Sequence, residues 1–164
     1  MSPVLGRRPA TDRLFAFVAI ASFGAVAAAL VSQHVYGMDP CPWCVFDRLI
    51  FVAIGLVAVL GLAWRGTAGS LTGAGLALVL AVLGVAAALW QHFVAARAAS
   101  CNLTLADRIM SATHLDTLLP DVFEARASCA DAAVDLFGVP YDFWAAALFV
   151  LCAILMVRAL RLAA

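Results

Sequence analysis

Lysine is absent from this chain of 164 residues, whose ten basic residues are all arginines. Charge of any sign is scarce, at 12% of the composition, and ten acids cancel the ten arginines to a formal net charge of zero. No basic run extends beyond Arg7-Arg8, so the chain has no surface built to neutralise nucleic-acid phosphates. Internal repeats are missing, and so are low-complexity segments beyond alanine-rich stretches. What is abundant is apolar: 66% of the residues are hydrophobic and the mean hydropathy is +1.05. Soluble domains run to roughly half apolar. So large an excess leaves too little polar surface to meet water, and the chain belongs in a bilayer. At this length a single membrane domain over residues 1–164 is expected.

A helix crosses ~30 Å of hydrocarbon with about 20 apolar residues. Stretches near 14–31, 45–64, 71–90 and 143–160 qualify, predicting an all-α, four-helix transmembrane bundle. Trp43, Trp64, Trp90 and Trp144 fall at span ends, where amphipathic rings settle at the headgroup level. Arg7, Arg8, Arg13, Arg65, Arg158 and Arg161 all lie on one side of a four-span zigzag, and the positive-inside rule makes that side cytoplasmic. Both termini are then inside. The outer side, with loops of about 32–44 and 91–142 and Asp47 in the first turn of the second span, carries every acid except Asp12. Arg7 and Arg8 could instead open a cleaved signal peptide. The apolar run is long for that, Ala27 to Ala29 is a vague cleavage site, and losing the span would spoil the arginine asymmetry. In the long loop, Leu105 to Leu119 has a helix-like pattern that Pro120 should end. It either lies flat at the interface as an amphipathic helix or is an irregular cover over the bundle.

Five cysteines complete the picture. Cys41, Cys44, Cys101 and Cys129 fall at the outer water boundary, and Cys152 lies inside the fourth span as a small apolar filler. Disulfides persist outside the cytosol. Cys41 and Cys44 form a C-x-x-C, while Cys101 and Cys129 can form a second bridge. Cys44 sits at the start of the second span, where free N–H groups favour a thiolate, and Arg48 is one turn along the same face. Pro42 fixes the backbone between the cysteines, and Trp43 adds a flat aromatic surface. An arginine at the membrane edge anchors the interface or holds a polar head group of a lipid-soluble electron acceptor. A quinone fits, because its carbonyls gain negative charge on reduction. Gln33 and His34 end the first span on the same side and could join that site. A zinc site lacks its second half: Cys101 and Cys129 are far apart, and His92 and His114 have no ligand-like spacing. A non-catalytic scaffold with structural bridges would waste a disulfide placed at a helix start beside an arginine.

The stretch QHVYGMDPCPWCVFDR, the second pair Cys101 and Cys129, and the passage from PDVFEARASC through DLFGVPYDFW together resemble the DsbB family of quinone-linked thiol oxidoreductases of bacterial inner membranes. The resemblance covers nearly the whole chain. It implies that Cys101 and Cys129 form the disulfide that oxidises a periplasmic thioredoxin-fold partner, DsbA, with Cys101 the site of attack. Electrons would pass to the Cys41–Cys44 disulfide and then to ubiquinone or menaquinone, with Cys44 touching the quinone as thiolate and Arg48 helping to bind it. The resting pairing stays open between Cys41–Cys44 with Cys101–Cys129 and an interloop pair such as Cys41–Cys129. A monomer among membrane lipid is expected. The chain departs from the family in a Pro-Trp between the first cysteines, an aspartate before Arg48, a short stretch from the third span to Cys101, and Cys152, which has no matching role. A specialised paralogue and a vitamin K epoxide reductase-like relative are the alternatives; the latter's loop cysteines usually precede its active pair, the reverse of the order here.

Overall fold

The computed structural model describes residues 9–64, 66–97 and 105–163. Arg7, Arg8, Arg65 and Cys101 lie outside the described residues. Among the described residues, four helices are long and apolar enough to cross a membrane. They are α1 (Pro9–Tyr36), α2 (Pro42–Ala63), α3 (Thr67–Phe93) and, late in the chain, α7 (Tyr141–Ala163). The four-helix membrane bundle expected from hydropathy is therefore the fold. Three of the helices outrun their apolar stretches at both ends, because a helix keeps its hydrogen bonds as its side chains turn polar near the headgroups.

The helices run up and down. Phe15, near the start of α1, packs on Gly61 near the end of α2 and on Gly73 near the start of α3. Small residues decide how closely they approach. Ala74, Ala77, Ala81, Gly84 and Ala88 recur three and four apart on α3 and are all buried, the repeat of a seam between packed helices. A Cβ at Gly84 would stand 2.5 Å from the Phe149 ring of α7. The missing side chain is what lets Phe149 lie flat on Phe51 of α2, with ring centroids 3.9 Å apart and planes 5° from parallel. The seam between α1 and α7 is the loosest of the four.

Between α3 and α7 the chain forms a 3-10 turn (Ala95–Arg97), three short helices and a hairpin. The helices are α4 (Leu105–Thr113), α5 (Leu115–Leu118) and α6 (Pro120–Phe123). The hairpin pairs β1 (Asp135–Leu136) with β2 (Val139–Pro140). Of the two readings for Leu105 to Leu119, one amphipathic helix or an irregular cover, the structure has a cover built of two short helices. The helical run breaks at His114, whose φ of 54° is left-handed. The helical piece stops at Leu118, just before Pro120 as expected, and Pro120 also opens α6, as suits a residue lacking the N–H that a first turn leaves unbonded. The loop folds back on the bundle. Met110 and Phe123 bury Val45 of α2, and the N–H groups of Arg126 and Ala127 donate to the Pro40 carbonyl at 2.9 and 3.3 Å.

One tryptophan also departs from expectation. Trp64, Trp90 and Trp144 are exposed at span ends, but Trp43 is buried and meets Phe46 edge-on. The loop covers it, so it serves as core rather than as an interface anchor.

The Gly84 contact generates a prediction. Gly84→Val should cost about 1–3 kcal/mol by overpacking, read as a lower unfolding midpoint of the full chain in detergent. Gly75→Ala, with open space around its Cβ position, should leave the midpoint unchanged or raise it.

Candidate functional site

Three of the chain's sulfurs meet at the start of α2. Cys41 is the N-cap residue, with extended backbone (φ −82°, ψ 168°), and Pro42 takes the first helical position. The Cys41 sulfur accepts a hydrogen bond from the Cys44 N–H at 3.2 Å, doing the work that serine or aspartate does at ordinary helix starts. Cys41 is fully buried and Cys44 half-buried. The two hydrogen bonds from Arg126 and Ala127 to Pro40 bring the following turn against this cap. Cys129 on that turn packs against the cluster that holds Cys41 and Trp43, within electrostatic reach of the Cys41 sulfur and the Trp43 backbone N–H. Among the described residues no cysteine is disulfide-bonded.

This arrangement divides the proton unequally. Cys129 is lowered from the ordinary thiol range, first by the hydrogen bond from the Cys41 thiol and then by the Trp43 N–H, against an opposing effect of burial. Cys41 is raised, first because its single proton is held toward the Cys129 sulfur, then by the neighbouring Cys44 sulfur and by burial. With these sulfurs reduced, Cys129 is thus favoured over Cys41 as the thiolate.

Arg48 stands one turn after Cys44. Its Nη1 donates to Gln33 Oε1 at 2.7 Å and to the Val122 carbonyl at 3.0 Å, and its Nη2 to the Ala29 carbonyl at 3.4 Å. The guanidinium is buried, and these three acceptors from α1 and the α6 segment offset its desolvation. Asp47 makes no bond to Arg48, and its Oδ1 is buried without a hydrogen-bond partner.

Cys44 and Arg48 both line a cavity of about 480 Å³. One wall is Ala25, Ala28 and Ala29 of α1, the other Ala145, Leu148 and Leu151 of α7, and Phe51 forms part of the floor. Its polar end gathers Cys44, Asp47, Arg48, Gln91 and Asp142. Gln91 Nε2 donates to the Cys44 sulfur at 3.3 Å and to Asp142 Oδ1 at 2.5 Å, while Gln91 Oε1 is buried and unpartnered. Such a cavity suits a flat molecule with oxygens at one end and an apolar tail. Arg48, with N–H groups beyond those its three acceptors take, can donate to its oxygens, and the two spare acceptors, Asp47 Oδ1 and Gln91 Oε1, can receive hydroxyl protons.

Of the residues singled out from sequence, Cys41, Cys44, Cys129 and Arg48 come together. Gln33 reaches the cavity only through its bond to Arg48, being buried behind it. His34 is exposed, its Nε2 3.2 Å from the Asp121 carbonyl oxygen, and it does not line the cavity. Cys101 lies outside the described residues. Cys152 is fully buried between helices. Sequence reasoning missed Gln91, Asp142 and Asp47. The available signal was that Gln91 closes the third span and Asp142 opens the fourth, so antiparallel packing puts both at one depth.

A four-span membrane bundle in which three sulfurs touch in sequence beside a polar-ended cavity defines a membrane thiol–disulfide protein. The family model described as "Disulfide bond formation protein DsbB" matches residues 11–159, and the chain belongs to that family. It is 32% identical over 146 residues to the disulfide bond formation protein B of Herminiimonas arsenicoxydans, covering 88% of this chain and 91% of the relative. The protein of the same name from Ralstonia nicotianae is 32% identical over 153 residues, covering 89% of this chain and 91% of the relative. That of Polaromonas naphthalenivorans is 32% identical over 158 residues, covering 94% and 92%.

The shared proton makes a prediction for the reduced protein. Alkylation of Cys129, followed by peptide mass spectrometry across pH, should show a midpoint below the ordinary thiol value of about 8.5. Cys41→Ala removes the donor and should move that midpoint up. A midpoint that Cys41→Ala leaves in place would mean the two sulfurs do not share a proton.

Proposed function

We propose that this DsbB-family protein makes disulfides by reoxidising a DsbA-type thioredoxin-fold partner and handing the electrons to a membrane quinone. The arginine bias supports a bacterial inner-membrane setting with the Cys41 end facing the periplasm. The observation that carries the reading is the contact chain from Cys129 to Cys41 to Cys44 to the cavity.

The steps are thiol–disulfide exchanges, each conserving two electrons. The partner's dithiol attacks Cys101 of a Cys101–Cys129 disulfide. The partner leaves oxidised, and Cys101 and Cys129 become thiols. Cys129, once deprotonated, attacks Cys41 of the Cys41–Cys44 disulfide. A Cys41–Cys129 bond forms and Cys44 leaves as thiolate. Cys101 then attacks Cys129, restoring the Cys101–Cys129 disulfide and freeing Cys41. The contact already present between Cys41 and Cys129 supports this interloop bond as an intermediate within easy reach.

The chain's residues hold the acceptor's end of the relay. Arg48, fixed by Gln33 and two backbone carbonyls, directs its positive charge at the cavity's polar end without needing to reorganise. The alanines of α1 and leucines of α7 accept an apolar tail. Phe51, braced by Phe149, gives a flat surface beside Cys44. When bound, a quinone supplies a sink for two electrons and two protons and departs as hydroquinone. The loop over Trp43 and Cys41 keeps water from the sulfurs.

With reduced DsbA-type protein and a short-chain ubiquinone analogue, the purified chain should reduce the quinone, and Cys44→Ser should abolish it. A protein that leaves quinone untouched, with bridges resisting mild reductant, would be a scaffold instead. Arg48→Ala should raise the KM for quinone about tenfold or more, the cost of losing a hydrogen bond from a charged group. The KM for the protein partner should change much less. An unchanged quinone KM would remove Arg48 from the site.

A further inference from the structure

Gln91, Asp142 and His92 form a connected polar group that the sulfur relay does not use. Asp142 opens α7, is buried, and lines the cavity beside Cys44. One of its oxygens accepts from Gln91 Nε2, which also donates to the Cys44 sulfur. The other lies 3.4 Å from His92 Nδ1. His92 stands behind Asp142, off the cavity wall, with 24% of its side chain exposed. Asp142 therefore has one face toward the reacting sulfur and one toward a histidine that meets the aqueous end. Gln91 Oε1, buried and unpartnered, points to an occupant that can donate to it.

The chemistry beside Cys44 is one proton short. Cys41 as thiol and Cys44 as thiolate, together with quinone and one further proton, give the Cys41–Cys44 disulfide and hydroquinone. The two sulfurs lose two electrons and form the S–S bond. Cys41 supplies one proton and the second must come from elsewhere. Resting on the quinone reading above, we propose that Asp142 delivers this second proton to the quinone oxygen and is refilled from the outer water through His92, with Gln91 holding the carboxyl against Cys44. The groups facing Asp142 fit the role. Cys44, Asp47 and Arg48 come from α2, Gln91 and His92 from α3, Tyr141 from its own helix and Cys129 from the loop. His92 contacts the carboxyl's far oxygen and is itself 24% exposed, so it joins that side of Asp142 to the surface.

The test uses the full chain in detergent with dithiothreitol as electron donor and a short-chain ubiquinone analogue as acceptor. Asp142→Asn should slow quinone reduction about 100-fold, the size of a lost general acid, and Asp142→Glu should restore most of it. Formate added to Asp142→Ala should recover part of the rate. Two readouts should stay within about threefold of wild type, as expected when only the chemical step is lost. One is the Kd for the oxidised analogue, from quenching of tryptophan fluorescence. The other is the rate at which oxidised, quinone-free protein accepts electrons from a reduced DsbA-type protein, which also reports correct folding. An Asp142→Asn variant that reduces quinone like wild type would overturn the inference. So would a loss mirrored in the Kd or in the quinone-free exchange, since either marks a structural role. A wild-type protein that does not reduce quinone would instead sink the quinone reading itself.

Discussion

A charged guanidinium buried at a membrane edge must be satisfied by its surroundings, and in this protein that need organises the active end. Arg48 rises from α2 and draws acceptors from two other parts of the chain: Gln33 and Ala29 of α1, and Val122 of α6. Three separate segments are thereby held at one point. The α6 segment leads directly to Arg126 and Ala127, whose N–H groups bind Pro40, and from there to Cys129. Satisfying one charge thus places the loop that carries a redox sulfur onto the helix start that carries two others. Loss of a buried charge's partner is among the costly changes a fold can suffer, so the clamp is also a reason for the loop to stay put.

The cavity follows from a different economy. Helices in lipid gain little from burying apolar surface against one another and rely on close packing instead. The alanine and glycine seam of α3 draws α2 and α7 inward and lets Phe149 stack on Phe51. The same closeness is not matched between α1 and α7, whose facing alanines leave room rather than interlock. A membrane bundle made from small side chains is tight where they interdigitate and hollow where they merely face each other. The hollow ends against Cys44.

On the proposed reading, chemistry at that end works through graded sulfurs. Cys41 is both helix cap and proton donor, and it touches a partner on each side. A helix start offers free N–H groups to whichever sulfur carries charge. As bonds exchange, negative charge can move among Cys129, Cys41 and Cys44 without any sulfur travelling far. Gln91 links Cys44 to Asp142 and His92, which under the proposal above gives protons a route distinct from that of the electrons.

Composition and hydropathy alone determined the bundle, because the length of an apolar run is a direct physical condition for crossing lipid. The C-x-x-C at the head of the second span and the arginine one turn on were equally legible, since helical spacing is local. The family resemblance was readable for the same reason, resting on contiguous stretches. Tertiary structure alone decided that Cys129 lies on Cys41, that Gln33 serves Arg48 while His34 faces away, and that Trp43 is core. It also decided that Gln91 and Asp142 meet beside Cys44, although each looks like an ordinary interface residue at the end of its own span. Those outcomes depend on which helices neighbour each other and where one long loop folds back. Such contacts join residues far apart in sequence, and no local pattern encodes them.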